Sequence, residues 1–151
     1  MHVESTSRTK APPRLAGDIA LSPDGIRRTL TGGARGLQAD AAWPAIGSHM
    51  SWRAGGRFKA TVVENALPDR IVMEVATPAG RSRMTHTFVA APDGMTHITT
   101  SLDVEPEGVM RAIAPAWRFV LERIVEREAR MAAKIADEAV DRGSSSWRPD
   151  A

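Results

Sequence analysis

Between Ile46 and Val104 apolar and polar residues alternate in short runs, and the period of two predicts β-strands over about 46–53, 57–64, 70–77, 82–90 and 95–104. The connections are short: Ala54-Gly55-Gly56, Asn65 to Asp69, Pro78-Ala79-Gly80-Arg81 and Ala91-Pro92-Asp93-Gly94. Short connections make consecutive strands antiparallel hairpins, hence a five-stranded meander, or six strands if the N-terminal segment joins. Pro92-Asp93-Gly94 fits a type I turn closed by a bulged glycine, which sets Phe88 opposite Ile98, His86 opposite Thr100 and Met84 opposite Leu102. Pairing Arg53 with Arg57 sets Trp52 opposite Phe58 and Met50 opposite Ala60. A two-residue Ala79-Gly80 turn sets Met73 opposite His86 and Val75 opposite Met84.

These registers give the sheet a dry face of Met50, Trp52, Phe58, Ala60, Val62, Ile71, Met73, Val75, Met84, Phe88, Ile98 and Leu102. Its wet face carries Lys59, Thr61, Glu74, Arg83, Thr85, Thr87, His97 and Thr99. A three-residue turn at Pro78-Ala79-Gly80 would slip the register by one and bring Glu74 beside His86. It would also expose Ile71, Met73 and Val75, at roughly 1.5–3 kcal/mol for each side chain, so Glu74 is expected at the surface.

The period changes to 3.6 from about Ala112 to Asp141, where Ile113, Trp117, Val120, Leu121, Ile124, Met131, Ile135 and Ala139 form one stripe. Arg118, Glu122, Arg123, Glu126, Arg127, Arg130, Lys134 and Glu138 form the other face, and Gly143 supplies a stop. So long a helix needs a broad apolar partner, which the dry face of the sheet provides. Upstream, His2 to Lys10 suits an edge strand. Leu15 with Ile19 and Ile26 with Leu30 suggest two short helices divided at Ser22-Pro23, an N-cap followed by a proline at the first helical position. Residues Thr31 to Ala42, with three glycines and few apolar anchors, read as a mobile loop, and Ser144 to Ala151 as a disordered tail carrying Trp147.

Composition narrows the function. The chain has 151 residues, 42% hydrophobic and 25% charged, enough for one domain with a core or a core plus an internal pocket. No apolar run reaches the roughly 18 residues of a membrane helix and no signal core is present, so a cytoplasmic location is expected without membrane insertion. Cysteine is absent, which removes disulfide and thiolate chemistry. The net charge is only +2, and the arginines are scattered among acids instead of forming the basic stripe of a nucleic-acid binder.

The order of elements is strand, two short helices, antiparallel meander and long C-terminal helix. With it go Trp43-Pro44-Ala45-Ile46-Gly47-Ser48, Gly55-Gly56-Arg57-Phe58-Lys59-Ala60-Thr61-Val62-Val63-Glu64, Pro68-Asp69-Arg70 and Asp93-Gly94-Met95-Thr96-His97-Ile98. Together they resemble the helix-grip fold of the START-like superfamily, also called SRPBCC, which includes polyketide cyclase/dehydrase-like and pollen-allergen-like proteins. The first helix departs from that pattern, with Pro13-Arg14-Leu15-Ala16-Gly17 where the family carries an acidic residue and a large aromatic. The resemblance implies an α+β domain over residues 1–142, a sheet curved around the C-terminal helix, and a cavity between them for a lipid, polyketide or similar apolar molecule.

The lining expected for that cavity is Trp52, Phe58, Met73, Met84, His86, Phe88, Thr100, Leu102, Trp117, Leu121 and Ile124. Flexible methionines such as Met50, Met73 and Met84 suit a deformable wall, although the same residues could fill a solid core. Of the four histidines only His86 lands on the dry face. It is either a core histidine bonded to Thr100 or a general acid/base. No metal-like spacing occurs, and no cofactor is expected. Three readings follow: a binder of a small apolar molecule, a cyclase or dehydratase using His86, and a protein-interaction module with a solid core. The oligomeric state stays open, a homodimer included.

Overall fold

The computed structural model describes residues 1–30, 34–77 and 80–143. Its elements in chain order are β1 (His2–Thr9), α1 (Pro13–Leu21), α2 (Pro23–Thr29), β2 (Arg35–Ala39), β3 (His49–Arg53), β4 (Arg57–Ala66), β5 (Arg70–Thr77), β6 (Gly80–Ala90), β7 (Thr96–Pro106) and α3 (Met110–Asp141). The strands form one antiparallel sheet in the order β1-β7-β6-β5-β4-β3-β2, seven strands among the described residues. This is the α+β arrangement expected from the sequence.

Ser22 both ends α1 and begins α2. Its backbone N–H donates to the carbonyls of Asp18 and Ile19, and its hydroxyl accepts from the Gly25 N–H at 2.9 Å. Glycine is required at position 25, because a Cβ there would lie 2.0 Å from the Ile19 carbonyl oxygen. Gly17 is closely packed as well: a Cβ there would come within 3.3 Å of the Leu67 side chain and touch Phe88.

Two registers are as derived: Trp52 pairs with Phe58 and Met50 with Ala60, while His86 pairs with Thr100 and Phe88 with Ile98. The β5–β6 hairpin differs. Thr77 pairs with Gly80, so Ile71 faces His86, Met73 faces Met84 and Val75 faces Ser82. The shift is by two residues, and a shift of two leaves every side chain on its face. Ile71, Met73 and Val75 are accordingly buried and Glu74 is exposed. Of the turn expected there, Pro78 and Ala79 lie outside the described residues.

The loop expected at Thr31 to Ala42 is corrected. Thr31 to Gly33 lie outside the described residues, but Arg35–Ala39 is a strand on the sheet edge, paired with β3 across a bulge between Arg35 and Gln38. Backbone pairing at an edge needs no buried side-chain face, so hydrophobic alternation carries no trace of it. A second irregularity lies in β4 between Val62 and Glu64, where a bulge bends a strand locally and increases its twist.

The 32 residues of α3 extend about 48 Å, and its two halves are packed differently. The buried line consists of Val125, Ala129, Ala132, Ala133, Ile135 and Ala136. Its small side chains bring the C-terminal half close to β1, β7 and α1. Asp137 fixes this half by accepting from Thr9 Oγ1 at 2.6 Å and from the Lys10 N–H at 2.9 Å. Lys10 also pairs with Asp141, and Arg28 pairs with Glu138 at 2.6 Å. The large residues expected along one inward stripe are mostly further up: Ile113, Trp117, Val120 and Ile124 are about two-fifths exposed. Glu126 pairs with Arg130 on the wet side, as their spacing implies. The helix opens with i to i−3 bonds at Met110, Arg111 and Ala112, and Pro115 lies within it. It stops where Gly143 adopts φ +68°. The expected tail, residues 144–151, lies outside the described residues.

The same truncation made in each half should separate the two packing regimes. Val125→Ala, at a position with no exposed surface, is expected to lower unfolding stability by roughly 2 kcal/mol. Val120→Ala, at a position 43% exposed, should change it by less than about 0.5 kcal/mol in the same urea titrations.

Candidate ligand-binding cleft

Because the N-terminal half of α3 stands away from the curved sheet, a cleft of about 510 Å³ opens between them. Trp52, Phe58, Val75, Met84, Leu102 and Val104 come from the sheet, and Met110, Ala114, Trp117, Leu121 and Ile124 from the helix. The Ala54-Gly55-Gly56 turn and the end of α2 complete the rim. Trp52 and Phe58 stack at 5.5 Å between ring centroids and 11° between planes, which gives one wall a flat aromatic surface. The volume and apolar lining are those of a small-molecule site.

Seven of the eleven expected lining residues border this cleft: Trp52, Phe58, Met84, Leu102, Trp117, Leu121 and Ile124. The other four, Met73, His86, Phe88 and Thr100, do not. Met73, Phe88 and Thr100 are buried in the body of the sheet–helix core, filled there by α1 and the alanine seam of α3. His86 lies beside them, its ring 6.5 Å from Phe88 and its Nδ1 3.0 Å from Thr100 Oγ1. Burial pushes its imidazole down to about 4, so it is neutral at physiological pH. No ionisable partner bonds to it among the described residues.

A residue absent from the expected lining borders the cleft: Glu128. Its Oε2 is buried without a hydrogen-bond partner among the described residues, and desolvation pushes the carboxyl up to about 7. The signal for it is in the spacing. Glu128 follows Leu121 by seven and Ile124 by four, so it occupies the apolar stripe although its chemistry belongs to the other face. Val125 and Ala129, on either side of it, are fully buried, whereas Trp117 nearer the helix start is 39% exposed. Glu128 therefore sits where the cleft closes. Arg81 and Arg127 also border it, and neither has an acidic partner among the described residues.

A broader, shallower hollow of about 1110 Å³ over the β2–β4 edge is more polar and is lined by Arg35, Arg53, Arg57 and Lys59. Among the described residues no group of three histidine, cysteine or acidic side chains could hold a metal ion. No described helix is long and apolar enough to cross a membrane.

No family model and no curated protein sequence matches the chain. Solved structures do. The protein of unknown function SA2116 from Staphylococcus aureus superposes with a TM-score of 0.72 at 12% identity, covering 93% of this chain and 97% of its own. TTHA0849 from Thermus thermophilus gives 0.67 at 18% identity, covering 96% and 100%. BexL, a di-domain ARO/CYC from the BE-7585A biosynthetic pathway, gives 0.70 at 16% identity over 99% of this chain and 51% of its own. The fold is the helix grip. At these identities the likeness establishes the architecture of sheet and gripped helix that the sequence resemblance implied.

The unpartnered carboxyl has a measurable consequence. Glu128 titrates near 7 in the folded chain against 4.5 when free. Its penalty is therefore absent below pH 4.5, grows as pH rises to 7 and is constant above. Glu128→Gln should raise stability by on the order of 3 kcal/mol at pH 8.5 and change it little at pH 4.5, measured by chemical denaturation.

Proposed function

We propose that this helix-grip protein binds a small apolar molecule between its sheet and the first half of α3. The observation that carries the reading is the cleft itself. Large apolar side chains from both layers line about 510 Å³ on one side of Glu128, whereas small residues close the gap on the other. A solid core, which the interaction-module reading requires, would have packed the Trp52–Phe58 stack against Trp117 and Leu121. They border open space instead. The ARO/CYC function named for BexL belongs to that protein, and its shared architecture supports a chamber suited to apolar organic molecules.

Catalysis by His86 has weaker support. The ring does not border the cleft, and its Nδ1 is engaged with Thr100.

The binding reading is tested with the anionic fluorophore 1-anilinonaphthalene-8-sulfonate. Wild-type protein should bind it saturably at one molecule per chain. Ala114→Trp, which fills the cleft from the helix side, should weaken binding at least tenfold while the melting temperature changes little. Unchanged affinity in the filled variant, or no binding by the wild type, counts against the proposal.

A further inference from the structure

An apolar cleft confers affinity without orientation, and the polar groups at its ends decide which way round a molecule lies. At the closed end one such group meets nothing. The Oε2 of Glu128 is buried at the cleft, and no protein donor reaches it among the described residues. A buried acceptor left in that state destabilises the fold unless something else satisfies it. The helix could place an apolar residue there, as it does at Ile124 and Leu121 on the same stripe.

We propose that Glu128 is the polar anchor of the cleft, and that the molecule bound there is an apolar compound carrying a hydroxyl group at its inner end. The inference rests on the binding reading above and adds the chemical class of the ligand.

Hydroxyl is chosen over the alternatives on donor–acceptor grounds. An ionised carboxyl only accepts, and a protonated one also donates. The Oε2 of Glu128 lacks any protein partner among the described residues, and burial pushes its carboxyl up to about 7, so a partner able to meet either form suits it. A hydroxyl donates to the first and accepts from the second. An ammonium pairs only with the ionised form, and Arg81 and Arg127 at the border of the cleft set a positive field against a cation. A carbonyl pairs only with the protonated form.

Three probes of nearly one shape separate these cases at pH 7: 2-naphthol, 2-methylnaphthalene and the cationic 2-(aminomethyl)naphthalene, titrated by calorimetry. The wild type should prefer 2-naphthol to 2-methylnaphthalene by about tenfold or more, the expected return on one hydrogen bond to a buried charged group. Glu128→Leu should erase that preference and leave 2-methylnaphthalene bound at least as tightly. Glu128→Gln, whose amide both donates and accepts, should keep most of it. Equal affinity for naphthol and methylnaphthalene in the wild type overturns the anchor while leaving the cleft reading intact. Tightest binding of the amine overturns the hydroxyl in favour of a cation. Failure of all three to bind, or binding that Ala114→Trp does not weaken, overturns the cleft reading itself.

Discussion

The architecture depends on how one half of α3 is held. Asp137 receives a hydroxyl and a backbone N–H from the end of β1, and a line of alanines lets the helix approach the sheet at the same level. Backbone hydrogen bonding carries the axis onward from the clamped half, so fixing that half sets the general course of the other. The helix packs on β1 and β7 and makes no comparable contact with β4 and β5, and the space left between the layers is the cleft. The cleft is the geometric remainder of a straight element gripped by a curved one, and no separate device is needed to hold it open.

Within that remainder the side chains divide the work. The Trp52–Phe58 stack makes a stiff wall, whereas Met84 and Met110 can repack around molecules of different outline. Glu128 sits on the boundary between the sealed and the open halves, and in the proposed binding role it is the point where fold stability and binding conflict. An apolar side chain would suit the fold better, and the carboxyl persists at a position where local rules are broken. Such breaches concentrate at functional sites. His86 shows the opposite outcome for an ionisable group on the dry face: it is neutral, half-buried and bonded to Thr100.

Strand faces were legible because burial depends on parity. The β5–β6 pairing could be misplaced by two residues and still put Ile71, Met73 and Val75 inside, since only an odd slip reverses a face. Absolute register was less legible, because several turn lengths fit the Pro78 to Arg81 segment. Strand β2 left no hydrophobic signature, its pairing being made by backbone at the sheet edge. On α3 the large residues carry the periodic signal, and Trp117, Leu121 and Ile124 do face the cleft, but the true seam of Ala129, Ala132, Ala133 and Ala136 is made of residues that hydrophobic scales rank low. The depth of the cleft is overestimated from sequence for a related reason. Inward orientation places Met73, Phe88 and Thr100 correctly on the dry face, but periodicity does not say how far along the sheet the alanines bring the helix into contact.

The opening of α3 has a consequence for exchange with solvent. Pro115 has no N–H to give the Arg111 carbonyl, and the turn before it runs on i to i−3 bonds of poorer geometry, so this stretch is joined to the rest of the rod by fewer and weaker links than a regular α-helical turn. Those links lie at the mouth, about six turns from the Asp137 clamp. The start of α3 can therefore open locally while the Asp137 clamp stays closed, and such opening is uncoupled from unfolding of the whole molecule.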